Sequence, residues 1–383
     1  MKKLPSLYQN YLQQYFSPLE YLMLSILLML LQKHRWVRLE KLAENFPSPI
    51  HQRSRIKKLQ RFLSRPQWDV AKLWFPIFKA WLEQTFDPDE VLYIAVDRSQ
   101  WGNVNLFMIS LIYQKRAIPI DFTLLGKLGN TSADEQTVLL SRVLELLKDY
   151  QKGVIGDREF CSVDLAKWLE SQPNTYFSLR LKKNTCVQQE EKIWQPLQTL
   201  GIRPGISAYY RGVKVTKSKG FAPVNIAAKW KRTYGGISVD EAWFVLTNLP
   251  DIESSLSAYA RRMGIEEMFR DFKSGGYNLE GTQVRGQRLS ALILLMTLAY
   301  CYSLFSGSAL LNKGIAKYVA RPTERKQKYR QHSHFYLGLQ GGVWLDSLAD
   351  FADEVELMMS FSPQSRHHYQ KGLRAISLLQ SVF

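Results

Sequence analysis

The period of the apolar positions along this 383-residue chain changes twice. Up to about residue 90 they recur at helical spacing, as in YLMLSILLMLLQ and VRLEKLAENF, and no alternating pattern intervenes, so helices are predicted. From Val91 short apolar runs bounded by turns take over: VLYIAVD, NLFMISLIY and AIPIDFTLL, with connections short enough for antiparallel neighbours. An amphipathic helix is expected from about Ala133 to Tyr150, then the buried strand GVIGD, a helix from about Ser162 to Ser171, and the strand TYFSLRLK. The pieces RGVKVTK and VNIAAKW read as strands of a β-rich insertion, and AWFVLTNLP as a further strand. A long helix is expected to begin near Ile252 to Ser255, where Asp251, Ser254 and Ser255 offer capping side chains. These readings divide the chain into a helical region over 1–90, a core over 91–305 carrying a basic insertion over 183–242, and a helical or irregular region over 306–383.

The order βββαβαβ, with Asp97 ending the first strand and Asp157 the fourth, is the layout of a ribonuclease-H-like domain. The fold class expected is therefore α/β, a ribonuclease-H-like mixed-sheet core with a β-rich insertion and flanking helical regions. That is an analogy of folds until the site supports it. Of two long apolar runs, Tyr21 to Leu31 is too short to span a bilayer. The second, Leu289 to Phe305, contains Ser290, Thr297 and Ser303 and is better read as a buried helix. Cys161, Cys186 and Cys301 are scattered without metal or disulfide spacing, and the polar, aromatic N-terminus is unlike a signal peptide, so a reducing cytoplasm is expected.

Charge narrows the function. Fifty-one Lys and Arg against 34 Asp and Glu leave +17, which favours a polyanion, with nucleic acid ahead of an anionic membrane surface. The surplus is patterned. His51 to Pro66 holds six basic residues and no acid, which is either a solvated helix face or a surface for DNA phosphates. From Ile193 to Val239 there is no Asp or Glu at all, while Lys214, Lys217 and Lys219 stand among eight Lys and Arg. A third basic patch runs from Lys313 to Arg330. His332, His334, His367 and His368 lack the carboxylate or Cys neighbours a metal site would need and are read as surface residues.

Tyr259, Arg262, Glu266 and Lys273 are separated by three, four and seven residues, which at about 100° per residue places all four on one narrow helix face. One carboxylate among two cations and a phenol suits a metal-bound phosphodiester. The competing reading is a solvated face with an Arg262–Glu266 ion pair. Gly264, inside that helix, marks a kink or the close approach of another backbone.

The segment YARRMGIEEMFRDFK resembles the Tyr-x2-Arg-x3-Glu-x6-Lys signature of the insertion-sequence four (IS-four) family of DDE transposases at all four positions, and AVDRSQW and VIGDREF resemble its two aspartate strands. The resemblance runs from about Val91 to Phe305. It implies a DNA transposase that performs cut-and-paste transposition, with Asp97, Asp157 and Glu266 as catalytic residues and as ligands of two Mg²⁺ ions, for which Mn²⁺ would substitute. It further implies DNA contacts by Tyr259, Arg262 and Lys273, a hairpin intermediate with a base flipped onto Trp243, and a homodimer on paired transposon ends, with terminal inverted repeats and target DNA as partners and no membrane. One departure is Glu159, two residues after the second aspartate, where the family often has Gly or Ala. The alternatives are a nuclease of the same fold without strand transfer and a DNA-binding protein without catalysis.

Overall fold

The computed structural model describes residues 4–190, 193–217, 220–234, 237–321 and 332–383. They form two compact units, residues 82–270 and residues 1–81 with 271–383. Lys219 and residues 322–330 of the Lys313 to Arg330 patch lie outside the described residues.

The first unit is built on a ten-stranded sheet. Its strands are β1 (Val91–Trp101), β2 (Val104–Tyr113), β3 (Arg116–Leu124), β4 (Gln151–Gly156), β5 (Thr175–Arg180), β6 (Cys186–Glu190), β7 (Ile193–Pro196), β8 (Ser207–Val215) and β9 (Phe221–Lys229). A small ribbon follows, β10 (Thr233–Tyr234) with β11 (Ile237–Ser238), and then β12 (Trp243–Thr247) completes the sheet. The spatial order is β3-β2-β1-β4-β5-β12-β9-β8-β6-β7. The first three strands are antiparallel, with Gln114 and Lys115 both at positive φ in the tight β2–β3 turn, as a two-residue hairpin of matching twist requires. Next, β4 and β5 run parallel to β1. This is the ribonuclease-H-like arrangement.

The strands β1, β4 and β5 are largely buried, which is why GVIG reads as a continuous apolar run. Ser132 and Glu135 form a reciprocal cap that starts the helix Ala133–Leu146, and Ser162 caps the helix Val163–Glu170. The acid-free segment contributes β8 and β9, which extend the same sheet beyond β12.

The second unit is helical. The helices Ser6–Tyr15, Pro18–His34, Leu39–Asn45 and Gln52–Leu63 belong to it, as do His334–Asp350, Ala352–Ser360 and Arg366–Gln380. At its centre the helix Gly286–Asn312 is long and apolar enough to cross a membrane, but 89% of its most apolar window is buried in the protein. It lies against His334–Asp350 at glycine contacts: a Cβ on Gly307 would stand 1.7 Å from the His334 carbonyl oxygen, and one on Gly338 would stand 1.8 Å from that of Ser303. The expectation that His334 is a surface residue is thereby corrected, because this close crossing leaves it 8% exposed. His367 and His368 are exposed, and His332 stacks on Tyr336.

Candidate active site

The last parallel rung between β1 and β4 pairs Val96 with Gly156, so the next residues are Asp97, still within β1, and Asp157, just past the end of β4. Two carboxylates thus emerge side by side at the carboxyl end of the parallel pair. This is the part of the sheet where apolar strands give way to loops, and ligands of open α/β sheets collect there.

The third carboxylate comes from the helical segment after β12, where the structure corrects the expected single helix. Two helices, Ile252–Ala260 and Met263–Phe272, are separated by Arg261 and Arg262. At the break the backbone tightens: Arg261 N–H donates to the Ala258 carbonyl at 3.1 Å and Arg262 N–H to that of Tyr259 at 3.0 Å. The Arg261 guanidinium leaves the helix line and lies 4.4 Å from the centre of the Tyr93 ring. Gly264 then begins the second helix against the β2–β3 turn, where a Cβ would sit 2.8 Å from the Arg116 carbonyl oxygen. Both expectations for this glycine hold, since it marks a bend and a close backbone approach.

Despite the break, Tyr259, Arg262 and Glu266 converge on the aspartates. Arg262 Nη1 lies 3.4 Å from Asp97 Oδ2, and Arg262 Nη2 pairs with Glu266 Oε1. The Tyr259 hydroxyl donates to Asp157 Oδ1 at 3.5 Å. The Asp97 side chain keeps 19% of its exposure and Arg262 only 11%, whereas Glu266 keeps 41%. Lys273 follows the last residue of the second helix, in the turn after Phe272, and its ammonium pairs with Glu280 at 2.7 Å.

Electrostatics reflect this crowding. Burial pushes the Asp97 carboxyl up to about 6; repulsion by Asp157 and Glu266 adds to the rise, while the Arg98 N–H, donating at 2.8 Å, and Arg262 oppose it. Burial, and then the Asp157 charge, raise the Tyr259 phenol, so it stays a donor. Arg262 is held above its ordinary value: burial works against its charge, and Tyr259, Asp157, Glu266 and Asp97 outweigh it.

Among the described residues no group of three His, Cys, Asp or Glu side chains is arranged to hold a metal ion as it stands, and the cation between the carboxylates is Arg262. The donor chemistry nevertheless fits a hard divalent ion. Three carboxylates face one guanidinium, and oxygen donors of this kind suit a hard cation.

Trp243 opens β12, half-buried, with its ring edge-on to Tyr259 at 5.1 Å and the Lys231 ammonium 5.1 Å from its centre. It borders a cleft of about 310 Å³ lined by Lys229, Lys231, Glu241, Ala260 and Met263. Lys214 is exposed on β8 and Lys217 in the turn that follows. Sequence reasoning missed two ion pairs beside the carboxylates: Arg98 with Glu159 at 3.0 Å, and Glu241 with Arg180 at 2.9 Å, the latter shared with Arg158. Their partners are 61 residues apart, and the only available signal was the oddity of Glu159.

A family model described as a transposase DDE domain matches residues 105–302. No curated protein matches the chain. Among solved structures, the chain is similar to a piggyBac transposase in a synaptic complex with hairpin DNA, at 15% identity and a TM-score of 0.43, over 84% of this chain and 70% of that one.

Proposed function

The chain belongs to the family of transposase DDE domains, and on that premise we propose that it cuts and rejoins DNA at the ends of an insertion sequence, as a member of the IS-four group. The observation that carries this reading is the meeting of Asp97, Asp157 and Glu266, from two adjacent strand ends and one helix, around Arg262. These three carboxylates would hold divalent metal, Mg²⁺ or, in its place, Mn²⁺. Metal bound there supplies Lewis acidity, activating the attacking oxygen and offsetting charge on the phosphate in flight.

The chain's own groups do the rest. Arg262 and Tyr259 are donors already directed at the carboxylate edge, so phosphate oxygens entering there meet a guanidinium and a phenol. Lys273, whose ammonium pairs with Glu280, would contact a DNA phosphate with its remaining donors. Trp243, with a basic cleft beside it, offers a stacking surface for an extruded base, consistent with a hairpin route. Lys214, Lys217 and Lys219 would contact phosphates, and two copies would assemble on paired ends.

The test uses labelled duplex DNA carrying the flanking terminal repeats, incubated with the protein and Mg²⁺. Nicked, hairpin and joined products are expected in sequence. Nicks alone would identify a nuclease without strand transfer, and unmodified DNA with normal binding would leave a DNA-binding protein without catalysis.

A further inference from the structure

Hydrogen bonding between β1 and β4 stops at Val96 and Gly156, one residue short of both aspartates. Past that rung β1 continues, held by β2, whereas the chain after β4 turns away through Asp157 into the short 3₁₀ turn Arg158–Phe160. Sheet hydrogen bonds therefore do not fix the distance between the Asp97 and Asp157 carboxylates. The connection that bridges the gap is between side chains. Arg98 Nε donates to both carboxylate oxygens of Glu159, at 3.0 and 3.1 Å.

Each partner is anchored in turn. Glu159 Oε1 accepts from the Thr131 backbone N–H at 3.0 Å and from its hydroxyl at 3.1 Å. Arg98 Nη1 donates to Asn105 Oδ1 at 3.0 Å, and Asn105, 1% exposed, donates to the carbonyls of Lys127 and Gly129 at 2.7 and 2.9 Å. The pair keeps only 15% and 17% of its exposure, so solvent screens it weakly. It also keeps a guanidinium adjacent to Asp97 occupied.

We propose that Arg98 and Glu159 form a positioning clamp that sets the spacing of Asp97 and Asp157 for divalent-metal binding and keeps Arg98 from competing for Asp97. This rests on the reading of those aspartates as metal ligands. Removing Glu159 alone loosens the turn after Asp157 and frees the Arg98 charge toward the carboxylates. Removing both partners loosens the turn without freeing a charge. Outer contacts that orient metal ligands are worth about 10- to 100-fold in metal affinity.

The test is Mn²⁺ titration of the full-length protein without DNA, by calorimetry, alongside melting temperature and DNA cleavage at rising Mn²⁺. Glu159→Gln is expected to weaken Mn²⁺ binding about 10-fold or more, to raise the Mn²⁺ needed for half-maximal cleavage equally, and to leave the rate at saturating metal within a few-fold. Glu159→Asp, which keeps the charge on a shorter arm, should fall between. The double variant Arg98→Gln with Glu159→Gln should bind Mn²⁺ no more weakly than Glu159→Gln alone, as coupled residues do. Phe160, stacked on Phe107 at 5.7 Å, anchors the turn independently, so the variants should stay folded. Unchanged Mn²⁺ affinity in Glu159→Gln, with wild-type binding and cleavage intact, overturns the clamp alone. A wild-type protein that neither binds Mn²⁺ nor cuts DNA overturns the metal-ligand reading and the clamp with it.

Discussion

The strands β1 to β5 and the strands β6 to β9 are hydrogen-bonded into one sheet, yet they follow opposite rules. In the first group, β4 is buried from Lys152 to Gly156 and β2 from Asn105 to Leu111. In the second, β8 exposes Ser207, Arg211, Gly212 and Lys214 and buries fully only Val213 and Val215. The acidic groups differ as well: Asp97, Asp121, Asp157 and Glu159 lie in or next to the dense half, while in the other half Glu190 ends β6 and no acid occurs between Ile193 and Val239. Dense packing leaves side chains few alternative positions, which suits ligands that must be placed to a fraction of an ångström. An exposed basic face needs no such precision, because attraction to phosphates is long-ranged and indifferent to sequence. If the proposed function holds, chemistry belongs to one half of the sheet and affinity to the other, and substitutions can break that division from either side.

The largest effect is expected at the carboxylates. Asp97→Asn, Asp157→Asn or Glu266→Gln should each reduce cleavage roughly 10³-fold or more, since metal catalysis supplies several kcal/mol, while DNA binding stays near normal. Asp97→Asn should also raise the melting temperature of the metal-free protein at neutral pH. An acid whose folded value is raised to about 6 binds its proton more tightly in the folded state, so the cost of ionising it is fully present above that pH. Asparagine removes that cost. A variant that cuts normally would remove its residue from the site, and an unchanged melting temperature would show that Arg262 already compensates Asp97.

How much of this was legible in the sequence follows from the same contrast. Asp97 and Asp157 stood out because strands buried on both faces leave unbroken apolar runs, and an acid ending such a run is conspicuous. The convergence of Tyr259, Arg262 and Glu266 was readable from spacing. The break at Arg261 and Arg262 was signalled only by the nearby Gly264, because neither arginine is a helix breaker and the contact of Arg261 with Tyr93 is tertiary. The end of the second helix at Phe272, one residue before Lys273, was not marked by any Gly or Pro at that point. The Arg98–Glu159 pair joins residues 61 apart, which no local pattern reports. The joining of β8 and β9 to the core sheet through β12 was hidden for the same reason.

A second test of the dense half is Gly264→Ala. The new methyl would lie 2.8 Å from the Arg116 carbonyl oxygen and 3.1 Å from Ile112 Cδ1, so the helix carrying Glu266 must shift away from the β2–β3 turn. Overpacking of this kind costs about 1 to 3 kcal/mol, and alanine's better helix propensity returns at most about 1. A lowered melting temperature and reduced cleavage at saturating metal are expected together. Normal values of both would show that the contact is soft.

Trp243 stands at the border of the two halves. Its ring is edge-on to Tyr259 and faces a basic cleft, so it belongs to the core on one side and to an open surface on the other. Trp243→Ala should leave the first nick nearly intact and slow hairpin formation by about 5- to 150-fold, the worth of one stacked base at about 1 to 3 kcal/mol. An abasic nucleotide at the flipped position should partly restore the step. Equal loss of both steps with a lowered melting temperature would place Trp243 in the core alone.

The smallest effect is expected in the exposed half, and it is the one that most directly examines the division of labour. Lys214 and Lys217 are exposed, and neither is ion-paired within the described residues. Replacing both with Gln removes no packing and leaves no buried group unsatisfied, so the melting temperature should not move. If each neutralises one phosphate, their loss releases about two fewer counterions, and the slope of log affinity against log salt should fall by about 1.8. The loss of affinity should be the same for terminal-repeat and unrelated duplexes, because phosphate contacts carry no sequence information. An unchanged slope would mean that β8 faces away from DNA, and a loss confined to the terminal repeats would mean that this surface reads bases, which would give the exposed half a share in specificity.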